Sequence, residues 1–246
     1  MSGKTDLAAA VAARPLNRAR ETGDDYQALL TSYCLERVLY RLAVSDRRDR
    51  FVLKRALLRR LWSEQPCRAT LPARCGKARL GLQIDMGLAD AVWPAPQPCV
   101  YPPLLDFPAP ELLAYPREAM VAEKLEAMVV LGDRNSRIKD FFDVHHPASR
   151  FEFDRATLAE AVRRTFERRG TPIPDHPPIA LTRAYWDTPS RPTQVRAFAR
   201  RARIAVPADF ADECARTLDA FLSPALGDLR SGRATVGTWP PGGPWQ

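Results

Sequence analysis

Residues Glu123 to Val144 read EKLEAMVVLGDRNSRIKDFFDV, a stretch that sets a lysine inside an apolar helical stripe and follows it with a basic and acidic cluster. With Pro116 opening a helix that runs to Leu131, 3.6-residue geometry places Lys124 among Met120, Val121, Met128 and Leu131, the residues that face a core. Its ammonium must therefore run out to solvent, meet a carboxylate or point into a site. A second helix from about residue 136 puts Ile138, Phe141 and Phe142 on one arc and Lys139, Asp140 and Asp143 on the other, since residues three and four apart share a face. Two consecutive helices thus offer a lysine and two carboxylates to one site.

Outward from this stretch, Gly23-Asp24-Asp25 supplies helix-start chemistry for an apolar run from Tyr26 to Val44, while residues 1–23 read as a flexible N-terminal segment. Phe51-Val52-Leu53 reads as a short buried strand or a helix start, and Ala56 to Trp62 as a helix. Leu80 to Gly87 alternates apolar and polar residues over a strand length, with Asp85 near its end. From Trp93 to Pro116 the prolines suit an extended connection with an edge strand around Val100 to Leu105. Helices are expected at 116–131, 136–146, 155–169, 190–203 and 207–222, with Gly170 stopping the third of them. The closing Trp239-Pro-Pro-Gly-Gly-Pro-Trp reads as an irregular segment that tryptophans pin to the surface.

A chain of 246 residues with 46% hydrophobic content buries one large core or two small ones. Its 37 Lys+Arg against 29 Asp+Glu leave a net charge of +8, which favours anionic partners, nucleic acid first. The five cysteines are scattered without a CxxC pair, which argues against a zinc or dithiol site and for reduced thiols in a cytoplasm. No apolar run reaches the roughly 18 to 20 residues of a membrane span, so the expectation is a soluble, cytoplasmic protein without membrane contact. No GxSxG or Walker A pattern is present, which disfavours hydrolases and P-loop enzymes. His145 and His146, before Pro147, suit a helix C-terminus better than joint metal ligation.

At Arg117 to Val144, with Ala-Glu-Lys-Leu-Glu-Ala-Met at 122–128 and Lys-Asp-Phe-Phe-Asp-Val at 139–144, the chain resembles the AbiEii/AbiGii toxin family of nucleotidyltransferases. Tyr33 to Leu53 resembles that family's leading helix and first strand, and Gln-Ile-Asp-Met-Gly at 83–87 the strand with its third carboxylate. The resemblance implies an α/β, mostly helical fold: a DNA polymerase β-like core, here truncated, at 24–115, a helical bundle at 116–226, and an irregular tail at 227–246. It also implies a toxin of a toxin–antitoxin, abortive-infection system that transfers a nucleotidyl group from an NTP to RNA such as tRNA. In that reading Mg²⁺ is held by Asp85, Lys124 and Lys139 meet the nucleotide phosphates, and Asp140 or Asp143 supports the lysine or the acceptor. A cognate antitoxin is the implied protein partner.

The sequence departs from the family pattern where metal chemistry is centred. The turn after the first strand reads Lys54-Arg55-Ala56 without a glycine, and no Asp or Glu lies between Glu64 and Asp85, where an Asp-x-Asp strand belongs. An internal deletion accounts for this, leaving one carboxylate of the usual three. A lone aspartate makes a poor magnesium site, because the ion keeps its water unless several charged oxygens replace it. The sequence reading is therefore a degenerate, inactive member, with a noncatalytic RNA- or antitoxin-binding protein as the alternative. For Lys124 a buried stem paired to a carboxylate stands beside the phosphate role, and for Asp140 and Asp143 a solvated helix face or an Asp143–Lys139 pair stands beside the site role.

Overall fold

The computed structural model describes residues 3–53, 72–75, 78–81, 92–202, 204–233 and 236–246. The chain divides into two compact units, one of Met1–Ala91 with Ala95–Tyr115, the other of Val92–Pro94 with Pro116–Gln246. Helix dominates both, with small sheets, giving the mostly helical α/β class expected.

In the first unit, helices α1 (Gly3–Thr22) and α2 (Tyr26–Ala43) pack on each other across a turn at Gly23, whose φ of 74° suits a residue without Cβ. Asp25 caps α2 by accepting from the Ala28 amide at 2.8 Å. Leu30, Tyr33, Cys34, Leu35 and Leu39 form its buried stripe. Residues 1–23, expected to be flexible, are thus helical over α1. The alanines at 8–10, 12 and 13 supply the propensity that outweighs Pro15.

The sheet of this unit has β5 (Glu111–Ala114) at its centre, parallel to β1 (Val52–Leu53) and antiparallel to β4 (Gln97–Val100). The edge strand expected at 100–105 lies instead at 97–100. Pro98 is tolerated there because an edge residue needs no N–H toward a neighbour, and Pro102-Pro103 ends the pairing. The loop beyond returns through Tyr101 N–H to Pro110 C=O, 2.8 Å. It is tied to α2 by Glu36, a fully buried carboxylate that accepts from the Leu104 amide and from Arg37 Nη2, both at 2.5 Å. A hairpin of β2 (Pro72–Cys75) and β3 (Ala78–Gly81) completes the described strands of this unit. The rest of the strand expected over 80–87, with Asp85, lies outside the described residues, as do the helix expected at 56–62 and the Lys54-Arg55-Ala56 turn.

The second unit holds α3 (Arg117–Leu131), α4 (Ile138–Arg150), α5 (Arg155–Arg169), the single turn α6 (Arg183–Trp186), α7 (Arg191–Ala202) and α8 (Phe210–Ser231). A two-stranded ribbon pairs β6 (Phe153–Asp154) with β7 (Thr238–Trp239). Helix α3 packs on α5, and α4 on α8. Asp154 caps α5 by accepting from the Thr157 amide at 2.7 Å, and Gly170 ends it in the left-handed conformation. Helix α4 runs through Pro147 to Arg150, four residues past the expected end, so His145 and His146 lie within the helix and not at its terminus. Helix α8 likewise runs through Pro224 to Ser231.

The C-terminal segment corrects a further expectation. Trp239 is 1% exposed and sits in the core, its ring 5.0 Å from that of Phe221 and 5.5 Å from that of Trp245. Its indole N–H donates to the Ala148 carbonyl at the end of α4, 2.7 Å away. Gly243 passes directly over this ring: a Cβ there would lie 2.4 Å from it, and its φ is 74°. The segment is irregular because proline and glycine let it fold tightly over an indole, yet it closes the core.

Candidate functional site

Lys124 emerges from a turn of α3 whose neighbours Met120, Val121, Leu125 and Met128 are buried, and its own side chain is 18% exposed. Opposite it, α4 presents Asp140 and Asp143, whose side chains are 1% and 6% exposed. The Lys124 ammonium donates to Asp140 Oδ1 and lies 3.5 Å from Asp143 Oδ2. Lys139 donates to the same Oδ2 of Asp143, one helical turn away. The Nε of Arg137 lies 2.8 Å from Asp140 Oδ2, a charge contact off the line of a hydrogen bond. Lys124, Lys139, Asp140 and Asp143 therefore meet, and Arg137 joins them.

The result is a knot of three cations and two carboxylates. Two carboxylates this deeply buried would each cost several kcal/mol without cations, so the knot is first a means of tolerating their burial. The first turn of α4 adds a favourable field for Asp140. Asp143 Oδ1 is buried and has no hydrogen-bond partner among the described residues.

The turn that sets α4 against α3 is held from a distance in sequence. Arg191, 3% exposed, donates to the carbonyls of Asn135 (2.6 Å), Asp133 (2.5 Å) and Tyr185 (3.1 Å), and its guanidinium lies 3.8 Å from the centre of the Tyr185 ring. The Tyr185 hydroxyl donates to the same Asn135 carbonyl at 2.6 Å, and burial pushes this phenol up to about 12, so it stays a donor at neutral pH. Sequence reading missed Arg191, Tyr185 and Arg137. The first two reach the Asn135 carbonyl from some fifty residues away, which no local pattern marks, whereas Arg137 stands three residues before Asp140 and was open to an i, i+3 search.

Magnesium, the expected ion, needs several hard oxygen donors around it. Among the described residues no group of three or more His, Cys, Asp and Glu side chains is arranged to hold a metal. Three of the four oxygens of Asp140 and Asp143 face Lys124, Arg137 or Lys139, and only Asp143 Oδ1 is left over among the described residues, so a divalent ion there would compete with three resident cations for all but one donor. This donor set does not fit the ion. Asp85 lies outside the described residues.

His145, also on α4, faces Glu213 of α8 with 3.3 Å between Nε2 and Oε1, and the Phe210 ring packs edge-on against it. Burial lowers its pKa below the ordinary 6.5, with His146 acting in the same direction and Glu213 opposing. The unfolded chain then takes up the proton first as pH falls through 6.5, so this group's contribution is complete above that pH and declines below it. The melting temperature is expected to fall between about pH 7 and about pH 5, and His145→Gln to flatten that slope. An unchanged slope in the variant would assign the pH response to other groups.

One family model, described as nucleotidyl transferase AbiEii toxin of type IV toxin–antitoxin systems, matches residues 35–224, more than half of the chain. No curated protein and no solved structure matches. No described helix is long and apolar enough to cross a membrane.

Proposed function

The chain belongs to the AbiEii nucleotidyl transferase toxin family of type IV toxin–antitoxin systems, and from that premise we propose that it is a degenerate member without nucleotidyl transfer activity. A single observation carries this reading: the sequence from Gln65 to Ile84 contains no Asp or Glu. Transfer of a nucleotidyl group from an NTP to RNA such as tRNA, the reaction the family resemblance implies, needs several carboxylates to hold Mg²⁺ around the reacting phosphorus. Asp85 alone is too few, and Asp140 and Asp143 are committed to Lys124, Arg137 and Lys139. In this reading Lys124 joins α3 to α4, and what persists is binding of RNA or of a cognate antitoxin.

The opposing reading is an active transferase with Lys124 and Lys139 on the NTP phosphates, Asp140 or Asp143 supporting Lys124, and Asp85 on Mg²⁺. It draws on the convergence of four of these five residues and on the partial exposure of Lys124. The two separate in one assay, in which folded protein is incubated with Mg²⁺, each α-labelled NTP in turn and total bacterial tRNA. The expected result is no label on RNA above the protein-free background. Label with any nucleotide would overturn the degenerate reading.

A further inference from the structure

The arginines of helices α5 and α7 differ in their partners. On α5, Arg163 pairs with Glu160 (2.7 Å) and Glu167 (2.5 Å), and Arg164 pairs with Glu160 (2.6 Å). Arg168 and Arg169 approach Glu123 at 4.0 and 3.9 Å, and Arg169 also meets Glu126. The hydrogen bonds from Arg163 and Arg164 hold the Glu160 carboxyl down to about 2, so this glutamate stays charged against them at ordinary pH. Its charge is spent within the protein.

Helix α7 differs. Between Asp187 and Asp209 the sequence has five arginines and no acidic residue. Arg191 is the buried clamp described above, and Arg203 lies outside the described residues. Arg196, Arg200 and Arg201 are exposed, and none meets a carboxylate among the described residues. Their polar contacts within the protein are local: Arg196 donates to Thr193 Oγ1 at 3.0 Å and Arg201 Nε to the Ala197 carbonyl at 3.3 Å. Phe198 fixes the helix by burying its ring 5.5 Å from that of Phe142 on α4. Helical spacing then turns Arg196 and Arg200, one turn apart, away from Phe198, with Arg201 on the flank.

What such a face fits follows from what it lacks. Its exposed residues are Pro192, Thr193, Arg196, Ala197, Arg200 and Arg201, with no large apolar or aromatic side chain to anchor a protein partner. Guanidinium groups without internal counterions suit phosphate oxygens, which they bind bidentately. We propose that Arg196, Arg200 and Arg201 form a binding face for the phosphate backbone of RNA, without base readout. Only the choice of RNA over DNA rests on the family reading; the phosphate chemistry does not.

The test is equilibrium binding of the full chain to tRNA, and to a DNA duplex of similar length, across a salt series without NTP or Mg²⁺. Each neutralised phosphate contributes about 0.7 to 0.9 to the slope of log affinity against log salt, so Arg196→Gln/Arg200→Gln/Arg201→Gln should reduce that slope by about 2. At about 0.1 M salt the same change corresponds to affinity on the order of 100-fold weaker. The paired control Arg163→Gln/Arg164→Gln should leave the slope nearly unchanged. Glutamine keeps the helix propensity, and a melt reports folding; Arg200→Gln alone, expected to take about a third of the effect, serves if the triple variant is unstable. A wild-type slope in the folded variants would overturn the proposal. Tighter binding to the DNA duplex would overturn the choice of RNA. Label transfer in the nucleotide assay would leave this result untouched, because binding is read here without turnover.

Discussion

Trp239→Ala is expected to destabilise the helical unit by about 3 to 5 kcal/mol, the range for removing a large buried aromatic ring. The indole is 1% exposed, contacts Phe221 and Trp245, and donates to the Ala148 carbonyl. Its loss removes transfer free energy, opens a cavity and takes one of two donors from that carbonyl, which keeps the Gly242 amide at 3.0 Å. The surroundings cannot close over the space easily, because Gly243 is already folded against the ring and its chain is stiffened by Pro244. Trp239→Phe, which fills part of the space but lacks the N–H donor, should cost clearly less. Urea melts of the three proteins measure this, and a loss below about 1 kcal/mol for Trp239→Ala would mean the ring does not close the core.

Lys124→Ala is expected to cost about 3 kcal/mol, because removing one partner of a buried ion pair leaves uncompensated charge behind. Among the described residues Asp140, 1% exposed, would keep only Arg137 beside it, and Asp143 only Lys139. The diagnostic comparison is Lys124→Met/Asp140→Leu, which removes both charges while keeping apolar volume. Buried pairs replaced in this way are often neutral in stability, so the double variant should recover most of the loss. If both variants are equally unstable, shape and not charge governs this joint. If Lys124→Ala is nearly neutral, Arg137 and Lys139 suffice for the two carboxylates. Either result also bears on any activity assay, since lost activity in Lys124→Ala has meaning only below its melting temperature.

How far these features were readable in the chain depended on distance in sequence. The helices over 117–131 and 155–169 follow from apolar spacing and local stops, and the meeting of Lys124 with Asp140 and Asp143 follows from two adjacent helices joined by a short turn. Helix ends were misread at Pro147 and Pro224, where tertiary packing carries the helix past a residue that locally disfavours it. The segment at Trp239 was misread because proline and glycine signal irregular backbone and say nothing about burial. Arg191 gives little sign of its role, since beside its local contacts with Gln194 and the Tyr185 ring its distant partners are the main-chain carbonyls of Asp133 and Asn135, which carry no side-chain signature. The α1 helix forms where the sequence reads as a flexible N-terminal segment, because helix propensity from its alanines does not show as an apolar stripe.

The tie between Trp239 and Ala148 spans 91 residues, and it orders events on the ribosome. At roughly 5 to 20 residues per second, the end of α4 waits about 5 to 20 seconds after its own synthesis before the indole that covers it is made. Throughout that interval Phe153 and, once α8 has emerged, Phe221 form an apolar surface without its cover. The unit therefore matures late, and its nascent form presents to chaperones, proteases or an early-bound partner a hydrophobic patch that the finished molecule conceals.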